Sequence, residues 1–428
     1  MLSILWLHIL RTSSRRGVCG VRTVVSLPTL PPGFYDQSEA LHRIRHEAQA
    51  HRCPPDAVLG AVLCRLSTLV PISTTVNGDS PNYFVALVGF SGAGKTASMR
   101  CARRLIPHIG TDLDGLPVSS GEGLVQSYLG LEKVDGKQQQ TQVYESAFFY
   151  VDEGQQLLVQ ADRQGSTTGP MLRSMWAGEA TGTTGARVET TRRLRPDSYR
   201  ISLLVGLQPD YASTLLADDH AGTPQRFLWL SCRDPQPPII APHPRGPLKM
   251  PEVISGPIKV GESVQRTIDN FRTDALRTGG SEDSRSSQEP VLLLRTGYLL
   301  ALLNGRPGEL DGDDWLAAIE LVEHSKQVSR SLDLIARKRR QEQHLEQDTE
   351  TVERREYREN LQHEKRLDRI ARGIAKRLRE DGPTETPKVR RRVAYRDTNY
   401  FDEAVMYGCK VGLIVPIEKG FQAGPVKP

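Results

Sequence analysis

A glycine-rich octapeptide constrains the fold of this 428-residue chain more than any other feature. Residues 89–96, GFSGAGKT, fit the pattern G-x-x-x-x-G-K-[ST] at every fixed position. The continuous apolar run Tyr83–Val88 before it is typical of a strand buried on both faces, and Ala97–Leu105 after it has helical spacing. A strand, a glycine loop and a helix in this order predict one crossover unit of a parallel α/β sheet.

The octapeptide also has the chemistry of a triphosphate site. Its glycines let successive backbone N–H groups point at one anion, and the following helix adds the positive end of its dipole. Lys95 would bring a point charge to the β- and γ-phosphates, and the Thr96 hydroxyl is a hard oxygen ligand for Mg²⁺. A glycine turn that matches by chance is the alternative. The residues expected to bind ATP are Gly89, Gly92, Ala93, Gly94, Lys95, Thr96 and Ala97.

Two adjacent carboxylates follow a second apolar run, Ala147–Val151. In phosphoryl-transfer sites of this kind a carboxylate at a strand end holds Mg²⁺, which is the role we expect for Asp152. Glu153 would orient and deprotonate the attacking water, which a hydrolase needs and a small-molecule kinase does not. The pair therefore favours hydrolysis of ATP over phosphorylation of a metabolite. The alternative is a strand that enters solvent through acidic residues.

Two further residues stand at the ends of apolar runs. Gln208 follows the run Ile201–Gly206, where its amide would hydrogen-bond the γ-phosphate or the attacking water, or else only cap the strand. Arg226 precedes the run Phe227–Leu230, from where it could reach the nucleotide of a neighbouring subunit and contribute strongly to the rate. A surface arginine is the alternative for Arg226.

This order of motifs resembles that of AAA+ ATPases. The segment TPQRF at 223–227 is similar to the finger motif of minichromosome maintenance helicases. From Tyr35 to about Leu413 the chain resembles bacterial phage- and plasmid-borne replication ATPases that accompany primase-polymerase domains, which also share strings such as 82–89 (NYFVALVG) and 396–404 (RDTNYFDEA). The resemblance implies a P-loop NTPase sheet, a helical lid, a homo-oligomeric ring with one ATP site per interface, and a primase-polymerase as a partner.

The resemblance also assigns roles to four other arginines. Related helicases carry a DNA-tracking hairpin where this chain has residues 182–193, so Arg187, Arg192 and Arg193 would bind single-stranded DNA through its phosphates, independently of sequence. A nucleotide-sensing role for one of them, or a solvated loop, are the alternatives. Arg295 would be the lid arginine that contacts the γ-phosphate within the same chain; its alternative is a structural salt bridge.

Charge and composition limit the environment of the chain. Between Lys326 and Arg396 there are 21 lysines and arginines against 13 aspartates and glutamates, so the basic excess lies towards the C-terminus. No apolar run has the roughly 20 residues of a membrane-spanning helix, which predicts no membrane association. The six cysteines form no C-x-x-C pair, which argues against a disulfide framework or a zinc site and favours the reducing cytoplasm.

The pattern divides the chain into segments. Residues 1–34 are expected to be an extension without fixed structure, either an acid-free transit peptide or the product of an upstream start codon. The other expected segments are a helical lead-in (35–80), an AAA+ core (81–235), a Pro/Ser-rich connector (236–288), a lid (289–328), a charged helix (329–381) and a winged-helix-like tail (382–428).

Together these features predict an ATP-hydrolysing motor that acts on DNA, a replicative helicase or helicase-like ATPase of a mobile genetic element. The alternative function is an ATP-dependent remodeller or regulator of a protein partner, without helicase activity. ATPase activity that single-stranded DNA stimulates would favour the first, and indifference to DNA the second.

Overall fold

The computed structural model describes residues 26–134, 137–161, 166–185, 191–217, 222–250, 252–279 and 288–428. The chain divides into two compact units between Arg337 and Lys338. The strands are β1 (Thr75–Val76), β2 (Tyr83–Val88), β3 (Asp114–Leu116), β4 (Leu129–Val134), β5 (Lys137–Gln142), β6 (Ser146–Val151), β7 (Thr181–Thr183), β8 (Arg192–Leu194), β9 (Arg200–Leu207), β10 (Phe227–Ser231), β11 (Pro257–Val260), β12 (Glu309–Leu310), β13 (Thr384–Glu385), β14 (Ile414–Ile417) and β15 (Gly420–Ala423).

Helices connect these strands and cover them. The α-helices are α1 (Pro32–Tyr35), α2 (Glu39–Ala50), α3 (Pro55–Leu69), α4 (Lys95–Leu105), α5 (Gly121–Gln126), α6 (Gly154–Ala161), α7 (Thr168–Ala177), α8 (Pro209–Ala217), α9 (Glu262–Thr278), α10 (Glu289–Leu303), α11 (Gly312–Asp381), α12 (Thr386–Arg391) and α13 (Phe401–Lys410). No helix in the described ranges combines the length and the apolarity needed to cross a bilayer.

The first unit is a mixed α/β structure built on a five-stranded parallel sheet. The strand order is β10-β2-β9-β6-β3, and all four strands expected from the apolar runs are present in it. Because the strands run in one direction, the residues that follow β2, β6 and β9 meet at the same carboxyl edge. This edge collects the octapeptide, Asp152 and Gln208.

The continuous apolar runs have their physical reason in two cores, one on each face of the sheet. In β2 the side chains alternate: Tyr83, Val85 and Leu87 join one core, and Phe84, Ala86 and Val88 join the other. Helices α3 and α4 cover the first face, and α5 and α7 cover the second. A strand covered on both faces cannot alternate apolar and polar residues, which explains why the runs are uninterrupted.

The predicted helical lead-in is confirmed as α2 and α3, separated at Pro54. Helix α3 lies directly on the sheet, since a methyl group at Gly60 would come within 2.7 Å of Leu230 and 2.8 Å of Val85. The fold also begins earlier than the expected boundary at residue 34. The side chain of Leu30 is buried, and its backbone N–H donates to Asp56 Oδ2 at 3.0 Å. Residues 1–25 lie outside the described residues.

The connector contains more structure than its composition predicts. Residues 236–250 and 252–256 form neither helix nor strand, as expected from their prolines. Strand β11 and helix α9 then occupy 257–278, within the segment assigned to the connector. Helix α9 gave little signal because only Val264 and Ile268 are buried along its length. Strand β11 pairs with β1 and β12, and strands of two to four residues carry too few positions for a periodicity.

Along the chain, two antiparallel hairpins lie between strands of the parallel sheet. Strands β7 and β8 confirm the hairpin expected between β6 and β9. Positions 186–190 at its turn, which include Arg187, lie outside the described residues. A second hairpin, β4–β5, was not predicted; it follows α5 and precedes β6.

The second unit has a small core of its own. The C-terminal part of α11, α12, α13 and a three-stranded antiparallel sheet in the order β13-β15-β14 enclose Ile374, Leu378, Phe401 and Leu413. The predicted break at Gly382 is confirmed, because α11 ends at Asp381 and Gly382 has a φ of +77°. The predicted helix near 400–409 and strand near 412–415 are confirmed as α13 and β14.

Candidate active site

The octapeptide forms a compact loop between β2 and α4. Gly92 and Gly94 have φ values of +79° and +89°, in the left-handed region where a side chain introduces strain. Gly94 is the N-cap of α4, so the helix begins at Lys95. The first backbone N–H groups of a helix have no partner within it, and the loop therefore presents an anion-binding helix terminus.

The ammonium group of Lys95 lies over this loop. Its Nζ donates to the carbonyl of Gly89 at 2.7 Å and to that of Phe90 at 3.1 Å. These two bonds hold the charge next to the loop backbone. A phosphate bound by the loop would replace these two carbonyls as the hydrogen-bond partner of the Lys95 ammonium group.

Thr96 and Asp152 meet although 56 positions separate them in sequence. The Thr96 hydroxyl donates to the Asp152 carboxylate, with oxygen–oxygen distances of 2.8 and 2.9 Å. A hydroxyl and a carboxylate that converge in this way are the hard oxygen donors that Mg²⁺ prefers, so the two side chains fit that ion. Within the described ranges no group of three or more His, Cys, Asp or Glu residues could hold a metal ion.

Tyr150 is a member of this cluster that was not predicted. Its hydroxyl donates to Asp152 Oδ1 at 2.7 Å, so the carboxylate accepts from two hydroxyl groups. Burial raises the pKa of Tyr150, and the hydrogen bond to Asp152 raises it further. The available signal was the strand period of two, which places residues 150 and 152 on the same face of the chain.

A cleft of about 420 Å³ unites most of the predicted residues. Its walls are the loop from Ser91 to Ala97, the exposed carboxylates of Asp152 and Glu153, and Gln208. Cleft residues that were not predicted include Arg100, Gln155 and Tyr211. They stand in the first two turns of helices that follow the strands, a position that a motif does not mark.

The backbone of Gln208 has the capping role that its position suggested, and its contact with a phosphate or water stays a prediction. Its backbone carbonyl accepts the N–H groups of Tyr211 and Ala212 at 3.0 Å and so opens helix α8. Its side chain is exposed and lies on the cleft. Capping therefore involves the backbone, which leaves the side-chain amide available for a ligand.

Gly206 brings the ends of β9 and β6 together behind this cleft. A Cβ atom at this position would lie 2.5 Å from the carbonyl oxygen of Asp152 and 3.3 Å from Cδ of Lys95. Only glycine permits this approach without displacement. The separation of the two strand ends behind the cleft thus depends on the absence of a side chain at Gly206 in β9.

The expectation for Arg295 is wrong. The side chain is fully buried, its Nη1 donates to the carbonyls of Asn82 and Trp176 at 2.9 Å, and its guanidinium lies 3.8 Å from the Trp176 ring centroid. Asn82 precedes β2, whose other end carries the loop, so roughly 20 Å of strand separates Arg295 from the phosphate site. An apolar helix buried along its length also buries the arginine it carries. Burial lowers the pKa of Arg295 to about 9.

Arg226 also stands at the amino edge of the sheet, just before β10. Its guanidinium donates to the Gly222 carbonyl and lies 5.3 Å from the Trp176 ring centroid. Burial, with a smaller effect of Arg173, lowers the pKa of Arg226 to about 10. Arg226 therefore does not face the cleft of its own chain, and its action on a neighbouring subunit stays a prediction.

The hairpin arginines lie on neighbouring positions of β8. Arg192 pairs with Thr183 and Arg193 with Gly182, so the two side chains leave opposite faces of the hairpin. Arg193 is exposed and Arg192 is half-buried. In the part of the hairpin that the structure describes, the face that carries Arg193 therefore presents an exposed cation.

In the second unit the charges separate between two helices. The exposed residues of α12 include Lys388, Arg390 and Arg391. Helix α13 begins instead with exposed Asp402 and Glu403. Arg390 pairs with Asp402 at 3.2 Å, and His363 contacts Glu403 at 2.7 Å. Of these two helices, α12 therefore carries the positive surface, and the first turn of α13 is acidic.

Comparison with known proteins adds no assignment to this geometry. No protein-family model matches the chain, and no curated protein matches its sequence.

Proposed function

We propose that this chain is an ATPase of the P-loop class, with its nucleotide site in the cleft at the carboxyl edge of the five-stranded sheet. The observation that carries the proposal is the contact of Thr96 with Asp152, which joins the glycine loop to the carboxylate strand. Ligands of parallel α/β sheets bind outside the carboxyl ends of the strands, where this contact lies.

Five residues of the cleft have a part in hydrolysis under this proposal. Lys95 exchanges its two carbonyl partners for the β- and γ-phosphates. Glu153 accepts the proton of the attacking water, and Gln208 hydrogen-bonds that water or the γ-phosphate. Thr96 and Asp152 would hold Mg²⁺, which would offset charge on the phosphates.

The proposed polymer partner is single-stranded DNA. The basic excess after Lys326 and exposed Arg193 support phosphate contacts, which depend on charge and not on sequence. The order helix, strand, two helices and hairpin in the second unit is the one expected of a winged helix, and α12 is its basic element. In its specific form, the proposal is that the protein is a cytoplasmic replicative helicase of a mobile element and works with a primase-polymerase.

A homo-oligomeric ring is part of the proposal. Arg226 supports it, because an arginine at the amino edge can act in this chemistry only on the nucleotide of another subunit. We expect Arg226→Ala to lower ATP hydrolysis at least 10³-fold. Mixing it with Glu153→Gln should restore part of the activity, since some interfaces then combine an intact Glu153 with an intact Arg226. Mixtures that stay inactive would contradict the ring.

The second candidate function is an ATP-dependent remodeller of a protein partner. The observation that favours it is the exposed surface of α13, where Asp402, Glu403 and the 73% exposed side chain of Met406 stand in place of cations. Tyr395, just before this helix, is 99% exposed. Carboxylates repel phosphates, whereas exposed apolar and aromatic groups suit a protein surface.

The decisive experiment measures ATP hydrolysis by the purified chain with and without single-stranded DNA, at two salt concentrations. We expect Lys95→Ala to lose nucleotide binding, and Glu153→Gln to bind nucleotide but to hydrolyse it about 10²–10⁴-fold more slowly. Lys133→Ala, which removes an exposed lysine from β4, is the matched control. Stimulation by DNA that decreases with salt supports the DNA motor; ATPase activity indifferent to DNA supports the remodeller. A Lys95→Ala protein with normal binding would refute the nucleotide site.

A further inference from the structure

The indole ring of Trp176 contacts two guanidinium groups. Trp176 lies on α7 and is 1% exposed. The guanidinium carbon of Arg295 lies 3.8 Å from the ring centroid, and that of Arg226 lies 5.3 Å from it. Both distances are within the roughly 6 Å over which the face of an aromatic ring attracts a cation. The ring therefore connects an arginine of the core to the arginine that the ring model places at a subunit interface.

Arg295 holds Trp176 in place. The side chain of Arg295 is fully buried, and its Nη1 donates to the backbone carbonyl of Trp176 at 2.9 Å. The same nitrogen donates to the carbonyl of Asn82, which precedes β2, also at 2.9 Å. One arginine thus contacts both the backbone and the ring of Trp176 and ties them to the central sheet. A side chain that its neighbours fix in this way can position a further group precisely.

Arg226 contacts this ring as a charged group without a carboxylate partner. Its guanidinium donates to the Gly222 carbonyl. No Asp or Glu oxygen of the described residues lies within 4.0 Å of its nitrogens. Burial, and to a smaller extent the charge of Arg173, lowers the pKa of Arg226 to about 10, so the group remains charged at neutral pH. A carboxylate would neutralise this charge, whereas a ring and a carbonyl leave it available to a phosphate.

Gly222 provides the space for the guanidinium. A Cβ atom at this position would lie 2.8 Å from Nη1 of Arg226, so a side chain would displace the group. Gly222 also has a φ of +79°, in the left-handed region that favours glycine. The place of the Arg226 guanidinium is therefore defined by the ring of Trp176 and by the backbone of Gly222.

We propose that Trp176 is a positioning residue for ATP hydrolysis, which holds the Arg226 guanidinium ready for the γ-phosphate bound by a neighbouring subunit. This inference rests on the proposed function, in which Arg226 acts across the interface of a ring. Trp176 itself contacts neither nucleotide nor water in this scheme. Its effect is to order a flexible side chain in advance, because a guanidinium that is already in place loses less freedom when it stabilises the transition state.

A double-mutant cycle in steady-state ATP hydrolysis tests the positioning role. Trp176→Leu should lower kcat about 2–30-fold, the worth of a cation–π contact, and leave KM for ATP unchanged because the variant's own cleft is intact. In the Arg226→Ala background the same substitution should have no effect, since the group that it positions is absent. A loss of similar size in both backgrounds would show that Trp176 acts only through the fold, and would overturn the proposal.

Two further variants keep the test valid if Trp176→Leu does not fold. Trp176→Phe keeps an aromatic face and should retain most of the parent's kcat. Gly222→Ala displaces the Arg226 guanidinium without altering the buried ring and should lower kcat. A kcat above that of the parent in Gly222→Ala or Trp176→Leu would mean that these contacts restrain Arg226 instead of presenting it, which would overturn the proposal.

Mixed subunits provide a readout that a purely structural role would not change. Trp176→Leu subunits keep their own Glu153, and Glu153→Gln subunits supply an Arg226 that rests on an intact Trp176. Mixtures of the two should therefore exceed the summed activity of the separate variants. Trp315→Leu is the matched control, because Trp315 is 5% exposed and belongs to the core on the other face of the sheet. It should lower stability and leave kcat unchanged.

Urea denaturation separates this inference from the proposed function. If Trp176 and Arg226 are in contact, the losses of stability in the two single variants should not add up in the double variant, whatever either residue does in hydrolysis. If Arg226→Ala hydrolyses ATP at the parent's rate, the contact between subunits fails, and the positioning role fails with it although the stacking stands. If Arg226→Ala loses hydrolysis while Trp176→Leu and Gly222→Ala keep it, the proposed function stands and the role of Trp176 is overturned.

Discussion

Gly206→Ala tests whether the close approach of β9 and β6 sets the geometry of the cleft. The new Cβ atom would lie 2.5 Å from the Asp152 carbonyl oxygen, and real Cβ atoms essentially never come within 3.0 Å of another heavy atom. The two strand ends must therefore separate by at least about 0.5 Å. The obstacle is backbone, which cannot rotate away as a side chain does.

The displacement predicts two separate losses. Overpacking of this kind costs about 1–3 kcal/mol of the free energy of unfolding. The displaced atoms include the backbone of Asp152, and a misplacement of 1 Å in an active site costs up to about 10²-fold in rate. For about half that displacement we expect the rate of ATP hydrolysis to decrease about tenfold.

Urea denaturation and steady-state ATP hydrolysis measure these two losses on the same preparation. Gly33→Ala is the control, because nothing lies within 4 Å of its Cβ position and its φ is not positive. We expect the control to match the parent in both assays. If Gly206→Ala keeps the parent's stability and rate, the close approach does not determine the cleft, and the argument from Gly206 is refuted.

Three further outcomes follow from the side-chain contacts. Tyr150→Phe removes one of the two hydroxyl donors to Asp152, so the Mg²⁺ concentration for half-maximal ATPase activity should rise about 10-fold or more; an unchanged Mg²⁺ requirement would contradict this. Arg295→Ala should lower the free energy of unfolding by about 2–5 kcal/mol in urea denaturation. Arg295→Met, which removes a buried charge at similar volume, should lower this free energy clearly less. Equal losses in the two variants would contradict the role of packing. Arg193→Ala should lower the salt dependence of DNA binding, as titrated by fluorescence anisotropy, by about one phosphate contact, and Arg192→Ala, at a half-buried position, should change it less.

The elements that could be predicted are those whose signal is local. The continuous apolar runs predict four strands, and all four are present in the sheet as β2, β6, β9 and β10. Burial on both faces leaves no room for alternating apolar and polar residues. The carboxyl edge follows from strand direction alone, so the meeting of Thr96 with Asp152 could be anticipated. Strand β3, with three half-buried residues, has no such run.

The rest depends on contacts that no local pattern encodes. Arg295 illustrates this: its apolar helix was recognised, but not which edge of the sheet that helix would cover. The sheet β1-β11-β12 is assembled from distant strands of two to four residues, too short for periodicity. Tyr150 and Gly206 affect the cleft through their contacts with Asp152. A tyrosine or a glycine within a strand pattern does not indicate that it makes such a contact.

The charge distribution of the second unit sharpens the choice between the two proposed functions. Acidic residues at a helix N-terminus are favoured by the helix dipole, so Asp402 and Glu403 stabilise α13 where they stand. The same carboxylates disfavour a phosphate at that terminus, which is where a recognition helix meets DNA. Of these two helices, α12 would therefore be the one to contact DNA, through exposed Lys388 and Arg391. Replacing these two residues with alanine should weaken DNA binding if the unit binds DNA, whereas Met406→Asp should then have little effect. If the unit instead docks a protein, Met406→Asp should abolish partner-stimulated hydrolysis, and the α12 variant should leave it unchanged.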